Sequence, residues 1–268
     1  QLRGGKFFAN FSYPVGENAE VYAFGGISAR DGLATGFYRL PFQERTYSPA
    51  YPNGFLPEIH SDIVDKSMAV GIRGQLNAWN VDFSNTFGNN SFKFGVHNSN
   101  NATMGNATPF EFNAGGFSFM QNTTNFDMSR KWDNIFSGLN IAMGTEFRVE
   151  NYQITAGAAN SWATYDENLQ IVNPATPADV RVSDFFGRSR PGGAQVFPGF
   201  RPENELNEFR NSFALYLDAE ADLTEDFLVS FATRHENYSD FGTTTNFKLA
   251  SRLRAGENFS IRGAAATG

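Results

Sequence analysis

The stretch that decides the fold is Phe209–Tyr238, FRNSFALYLDAEADLTEDFLVSFATRHENY. Apolar and polar residues alternate along it with a period of two. Leu215 and Leu217 therefore lie on one face of an extended strand and Tyr216 on the other. The short polar segment 224–226 interrupts the pattern, as a tight hairpin turn requires. The stretch predicts two long antiparallel strands, each with one apolar and one polar face.

The same alternation recurs along the chain and predicts about ten strands. Six are placed near 5–14, 19–29, 67–77, 80–97, 115–131 and 136–156, and four more along 209–264. Short turns alternate with three long segments at 30–66, 98–114 and 158–208. Those segments hold ten of the eleven prolines, which agrees with strands elsewhere because proline cannot donate to a sheet ladder.

Long strands with alternately short and long connections are typical of an outer-membrane barrel. Many of the strands reach about 10–15 residues, which suits a tilted bilayer crossing, whereas soluble sandwiches use strands nearer five or six. We therefore predict an all-β fold, an antiparallel up-and-down transmembrane β-barrel. The charged face of each strand is predicted to face the lumen. The lumen-facing residues are Tyr216, Asp218, Glu220, Arg234, Glu236, Lys248 and Arg252.

Composition excludes several classes of function. The formal charge of −7 and pI of about 5.0 argue against nucleic acid as a partner. The chain has no cysteine and three histidines without metal-ligand spacing, so no metal site or cofactor is predicted. It contains no GxSxG or GxxxxGK[ST] motif.

The one arrangement that could suggest catalysis is the pair His235 and Glu236. These residues are adjacent in a strand and point to opposite faces, so they cannot readily act together. We therefore expect no enzyme.

Six strings carry a resemblance to a known family. They are YPNGFLPEI (51–59), GTEFRVENYQI (144–154), GGAQVFPGF (192–200), LYLDAEADLTEDF (215–227), RHENYSDFG (234–242) and FKLASRLRAGENFSIRGAAATG (247–268). In this order and spacing they resemble the barrel domain of TonB-dependent outer-membrane receptors. The resemblance covers nearly the whole chain.

The resemblance implies a 22-stranded barrel with an N-terminal plug domain and a segment that binds the TonB complex. Because the chain starts at Gln1 and ends without a final strand signal, we expect residues 1–268 to be part of such a barrel, without plug or C-terminal strands. About ten of the 22 strands then form an open curved sheet. The implied function is TonB-coupled uptake of a scarce solute (an iron chelate, cobalamin or a glycan) across the bacterial outer membrane. The implied partners are outer-membrane lipid, an extracellular solute and TonB.

Two other functions stay open at this point. A passive porin would have no plug, so its signal peptide would lead straight into strands. A soluble β-rich surface or adhesin module would remain in the aqueous phase without detergent.

The segment 158–208 is the longest connection and holds the residues best suited to bind a solute. Arg188, Arg190 and Arg201 occur there with Phe197 and Phe200. Guanidinium and aromatic groups together suit an anionic or ring-bearing ligand, although they also suit the folding of a loop. In this architecture the long loops are extracellular, so these five residues are the candidate ligand-binding set.

Overall fold

A computed structural model describes residues 1–267 and contains one sheet of ten antiparallel strands. The strands are β1 (Leu2–Val15), β2 (Ala19–Thr35), β3 (Glu58–Leu76), β4 (Trp79–His97), β5 (Phe112–Trp132), β6 (Leu139–Thr155), β7 (Leu206–Asp222), β8 (Phe227–Tyr238), β9 (Gly242–Arg254) and β10 (Ser260–Ala266). Each pairs with its neighbours in sequence, and β1 and β10 are the two edges of the described sheet. The predicted all-β meander with open edges is confirmed.

The connections separate into two ends of the sheet. One end carries the short turns 16–18, 77–78, 133–138, 223–226 and 255–259. Asn77 and Ala78 both have positive φ, which matches the right-handed twist of a two-residue hairpin. The other end carries loop A (36–57), loop B (98–111), loop C (156–205) and the short connection 239–241. Short helical turns occur in loops B and C at Ala102–Ala107, Ala159–Trp162, Ala178–Val180 and Pro202–Asn204.

No helix in residues 1–267 combines the length and the apolar character needed to cross a bilayer.

Two strands extend further toward the loop end than the sequence pattern predicted. β2 continues to Thr35 and β3 begins at Glu58, so the long connection is 36–57 and the prediction of 30–66 was wrong. The added part of β3, EIHSDIVDK, has polar side chains on both faces. A ladder of backbone hydrogen bonds needs no apolar face, so the strand continues where the alternation stops.

The register gives the sheet one apolar face and one polar face. Leu217 lies opposite Met143 on β6 and Thr233 on β8, whereas Tyr216 lies opposite Gly144 and Arg234. We call the side of Leu217 the apolar face and the side of Tyr216 the polar face. All seven residues expected to line a lumen share the polar face: Tyr216, Asp218, Glu220, Arg234, Glu236, Lys248 and Arg252.

On the apolar face, hydrophobic residues form a band next to the short turns. The band is uninterrupted over nine residues on β7 (Phe213–Ala221). It spans eleven residues on β6 (Leu139–Val149), where it includes Thr145, and nine on β4 (Trp79–Phe87), where it includes Asn85. On β5, between β4 and β6, the same face is more polar and carries Arg130, Thr124 and Asn122. The next residue on this face beyond the band is an asparagine in all three strands: Asn89, Asn151 and Asn211. At the turn end, Trp79 and Trp132 pack edge to face with their centroids 5.7 Å apart.

Two tyrosines brace the polar face by crossing a glycine. Tyr22 on β2 lies over Gly71 of β3 and donates to Asp82 of β4 at 2.9 Å. In the same way, Tyr216 lies over Gly144 and donates to Asp127 at 2.6 Å. A Cβ at either glycine would lie 2.6 Å from the tyrosine ring, closer than carbon atoms pack. Glycine is required at both positions for this close approach.

Candidate functional site

The most completely buried part of the chain lies among the three long loops. Thr46 of loop A, Ser99 and Asn100 of loop B, and Ser161 of loop C each have 0% exposure. Buried polar groups usually have hydrogen-bond partners, and the side chains of Ser99 and Asn100 find theirs on loops C and A. The three loops therefore form one packed unit at one end of the sheet, which we call the loop cap.

Asn100 joins loop B to loop A. Its Oδ1 accepts from the backbone amide of Tyr47 at 2.7 Å, and its Nδ2 donates to the carbonyl of Arg45 at 3.0 Å. One side chain thus satisfies a donor and an acceptor on the facing loop. Asparagine suits this position because its amide carries both functions.

Asn101 joins loop B to loop C. Its Nδ2 donates to the carbonyls of Asn160 and Ala163 at 3.0 and 2.8 Å. Its Oδ1 accepts from the amide and the hydroxyl of Thr103 at 3.2 and 2.6 Å. Four hydrogen bonds to one fully buried amide make Asn101 the central residue of the cap.

An apolar cluster lies beneath this polar network. Val96, Phe112, Ala114 and Ala194 are buried together, with Phe94 and Phe197 packed against them. The rings of Phe94 and Phe197 have centroids 4.8 Å apart, and Phe200 lies 5.9 Å from Phe197. The structure therefore places the two candidate ligand-binding phenylalanines, Phe197 and Phe200, against the loop end of the sheet, where their packing on Phe94 stabilises loop C.

The candidate arginines of loop C also contact the protein itself. Arg188 donates to the carbonyl of Phe42 at 2.7 Å and pairs with Asp184 at 2.7 Å. Arg190 donates to the carbonyls of Glu44 and Thr46 at 3.1 and 2.8 Å. Both side chains thus attach loop C to loop A. Whether any of the five also binds a solute stays a prediction.

Arg201 differs from the other candidates. Its side chain is exposed and makes no hydrogen bond or ion pair within the described chain. Its backbone amide caps the helical turn Pro202–Asn204 by donating a hydrogen bond to Asn204 Oδ1 at 3.3 Å. Among the five candidates, Arg201 has its charged group free for an external partner.

Sequence analysis missed the most exposed aromatic pair of the cap. Phe185 and Phe186 are 95% and 66% exposed at the tip of a turn in loop C. Asp184 holds this turn by accepting from the amides of Phe186 and Arg188 at 2.9 and 2.8 Å. The signal for it was Asp184 three residues before Gly187, a turn signature. The turn is held by these hydrogen bonds and presents both rings to solvent.

The same contacts explain the acidity of Asp184. Burial opposes ionisation, but hydrogen bonds from the amides of Arg188 and Phe186 and from the Arg188 guanidinium outweigh it. The pKa of Asp184 is therefore lowered from its ordinary value. The carboxylate stays charged, and the turn stays closed, at neutral pH.

The polar face below the cap carries an ion network across β6, β7 and β8. Arg234 pairs with Glu146 at 3.0 Å and with Glu236 at 3.2 Å. Arg148 shares Glu146, and Arg210 pairs with Glu150. The side chains of Glu146 and Glu236 are mostly buried, with exposures of 16% and 10%. Because these pairs are shielded from water, removing one partner should destabilise the sheet more than removing one partner of an exposed pair.

The histidines do not form a metal site. His60 and His97 stack with centroids 3.8 Å apart at the loop end, each beside one glutamate, and His235 contacts Thr245 at 2.7 Å. Within residues 1–267 no group of three or more His, Asp or Glu side chains is arranged to hold a metal ion.

Tyr51 gives the cap a measurable titration. Its ring stacks on Phe55 at 4.4 Å and its hydroxyl donates to the carbonyl of Ser99 at 3.1 Å. Burial raises the pKa of Tyr51 to about 12. Because the folded-state pKa lies above the ordinary value of about 10, the buried, protonated Tyr51 makes its full contribution to the stability of the cap below pH ~10. The stabilisation is lost as pH rises from there through 12.

We expect the ultraviolet titration of the wild type to show one phenolate near pH 12 that is absent in Tyr51→Phe. A difference spectrum with its midpoint near pH 10 would contradict this packing of loops A and B.

Comparisons with known proteins give matches only among solved structures. No family model matches the chain, and no curated protein matches it in sequence. The siderophore receptor PirA from Pseudomonas aeruginosa matches 98% of this chain at 13% identity, with a TM-score of 0.48. A variant of the ferric enterobactin receptor PfeA from the same organism matches 98% at 10% identity, also with a TM-score of 0.48.

A third structure, the siderophore receptor PiuA from Acinetobacter baumannii, matches 98% of the chain at 10% identity with a TM-score of 0.46. The chain spans 39%, 41% and 44% of the lengths of these three proteins. It thus corresponds to about two fifths of each.

Proposed function

We propose that this chain is part of the wall of an outer-membrane β-barrel receptor that captures a scarce extracellular solute for TonB-coupled uptake. The observation that carries the proposal is the mainly apolar band of eleven and nine residues on the adjacent strands β6 and β7. A transmembrane β-strand crosses the hydrocarbon core in about 9–11 residues. The tryptophan pair at one border and the asparagines at the other suit the two interfaces.

Exposure of the band favours a membrane over water. Leu215, Leu217, Phe213 and Phe147 are each 40–48% exposed on one continuous face. A soluble adhesin domain would bury such a face against a second sheet, and the described residues form a single sheet. Lipid is the partner that makes this face stable.

The loop cap favours a receptor over a passive porin. Its three loops are fixed to one another by buried hydrogen bonds and lie on one end of the sheet, which is extracellular in this architecture. A rigid surface loses less entropy on binding a solute than mobile loops do. The solute itself belongs among the scarce nutrients that need active uptake, such as an iron chelate, cobalamin or a glycan.

The proposal is tested with the full-length gene in a Gram-negative host. The protein is expected in the outer-membrane fraction, and growth on the limiting nutrient that it supplies should be lost when TonB is deleted. Growth that needs the protein but not TonB would favour a porin. Protein in the aqueous fraction without detergent would favour an adhesin.

Phe185 and Phe186 are expected to contact the solute. The double variant Phe185→Ala/Phe186→Ala should change stability by less than about 0.5 kcal/mol, because both rings are exposed. Binding of solute to intact cells should weaken by roughly tenfold or more, as for anchors of a binding surface. Unchanged binding with normal membrane insertion would assign the aromatic tip another role.

Loss of the whole segment 189–200 is a less selective test of ligand binding. Ala194 and Phe197 of this segment belong to the buried cluster, and Gln195 pairs with Ser99 at 2.8 and 2.9 Å. We expect the deletion to disorder the cap, so point variants are needed to separate binding from folding.

A further inference from the structure

One arginine lies on the apolar face of the sheet, close to the short turns. Arg130 of β5 is opposite Ile141 of β6, and Trp132, two residues further on, is opposite Leu139. Ile141 and Leu139 belong to the apolar band of β6. A cation on the lipid-facing side of a barrel is costly at the bilayer midplane and costs little near an interface. The position of Arg130 near the end of its strand therefore suits the border of the membrane.

The guanidinium of Arg130 is directed toward the turn end of the sheet. Its Cζ lies 4.7 Å from the centroid of the Trp132 ring, and Trp132 is the last residue of β5. Trp132 in turn packs edge to face on Trp79, the first residue of β4. A guanidinium over an indole ring is held by a cation–π interaction, and the stem of the arginine stays on apolar surface while the charge reaches the interface. The two rings thus hold the charge at the border of the band.

Arg130 has no counter-ion within residues 1–267. The two aspartates three residues away along the chain have other partners: Asp133 pairs with Lys131 at 2.7 Å, and Asp127 accepts from Tyr216 on the polar face. No ion pair or side-chain hydrogen bond involves Arg130 in the described chain. A guanidinium has five N–H donors, and stacking on a ring uses none of them. The partner that complements this group is an anion with several acceptor oxygens.

We propose that Arg130, together with Trp79 and Trp132, binds the phosphate group of an anionic glycerophospholipid. The inference rests on the proposed function, since it requires lipid against the apolar face. The short turns are periplasmic in this architecture, so the headgroups beside these residues belong to the periplasmic leaflet. A guanidinium binds phosphate oxygens in a bidentate manner, and indole rings lie at the level of the headgroups. The arginine is thus a lipid-binding residue on a face that is otherwise made for hydrocarbon.

The test uses the full-length protein in phosphatidylcholine vesicles that contain an increasing fraction of phosphatidylglycerol brominated on its acyl chains. Quenching of tryptophan fluorescence reports lipid in contact with Trp79 and Trp132, and quenching by brominated phosphatidylcholine gives the reference. Other tryptophans contribute the same background in every variant. We expect the wild type to prefer phosphatidylglycerol by about fivefold, the factor for one cation near an anionic lipid surface. Arg130→Gln should remove most of this preference, and Arg130→Lys, which keeps the charge without the planar group, should lie between the two.

Arg254→Gln is the matched control. Arg254 is an exposed arginine at the same end of the sheet but on the polar face, and its loss should leave the preference unchanged. Wild type without a preference for phosphatidylglycerol, or Arg130→Gln with the preference of the wild type, would overturn the inference. An equal loss in Arg254→Gln would also overturn it, because the preference would then follow from overall charge. Heat-modified gel migration verifies that every variant is folded.

The reference lipid separates this inference from the proposed function. Quenching by brominated phosphatidylcholine without a preference for phosphatidylglycerol would refute the phosphate site and leave the lipid-facing band standing. Absence of quenching by either lipid would contradict both.

Discussion

Asn101→Ala is expected to destabilise the loop cap by about 3–5 kcal/mol. The change leaves the carbonyls of Asn160 and Ala163 and the amide of Thr103 without their partner. Each buried group left unsatisfied costs about 1–3 kcal/mol, and the site is too polar to repack around alanine. By amide hydrogen exchange of the full-length protein, opening of loops B and C should become about 150- to 5,000-fold more frequent.

The control is Asn106→Ala. Asn106 begins the same Asn-Ala-Thr triplet as Asn101 but is exposed and accepts one bond, from the Tyr47 hydroxyl at 2.7 Å. Its loss should cost less than about 1 kcal/mol. Asn101→Asp keeps the acceptor for Thr103 but loses both donations, so it should be no more stable than Asn101→Ala. Equal exchange in the two alanine variants would contradict the central role of Asn101.

Leu217→Arg is expected to destabilise the folded protein in lipid by about 2–4 kcal/mol. Leu217 is the middle residue of the band Phe213–Ala221, and a cation at the bilayer midplane of a barrel costs this much. Denaturant titration in lipid vesicles, followed by heat-modified gel migration, measures the effect. On a soluble protein the same change at a residue 40% exposed would be nearly neutral.

Asp218→Ala is the matched comparison, because it lies next to Leu217 on the opposite face. Asp218 makes no ion pair within the described residues, so its loss should be mild. Equal tolerance at the two positions would count against a lipid-facing band.

Period-two alternation predicted the strands well where one face is apolar. β7 and β8 were located from Leu215, Leu217 and Phe231 because the pattern comes from the band itself. The same rule failed at residues 58–66 of β3, which extend beyond the band and carry polar side chains on both faces. Pairing alone forms that part of the strand, and single-strand periodicity does not report pairing.

The loop cap could not be predicted from the sequence in the same way. Asn100 and Asn101 are two of the four asparagines in loop B, and polar residues are mostly exposed. Their burial depends on carbonyls that are 55 to 62 residues away along the chain. Asn101 and Asn106 each begin an Asn-Ala-Thr triplet, but Asn101 is buried and bonds to Thr103 whereas Asn106 is exposed. Nothing in the triplet itself distinguishes the buried copy from the exposed one.

The candidate ligand residues show the same limit. Arg190 and Phe197 were selected because their chemistry suits a ligand, but that chemistry also suits contacts between loops. Nothing in the sequence alone distinguishes Phe185 and Phe186 from core residues, because phenylalanine is most often buried. The turn built on Asp184 directs both rings into solvent instead.

The most direct test of the account is a cysteine scan of residues 212–220 in the full-length protein in lipid bilayers. The 268-residue chain has no cysteine, so a cysteine introduced at each position is the only labelling site within this segment, and any cysteine elsewhere in the full-length protein is first replaced by serine. We predict that labels at Phe213, Leu215 and Leu217 are relaxed by oxygen dissolved in the lipid and not by a water-soluble nickel chelate. Labels at Tyr216 and Asp218 should be relaxed by the nickel chelate more than by oxygen, or by both equally. Odd positions accessible to the nickel chelate, or a profile without a period of two, would contradict a wall with lipid on its apolar face.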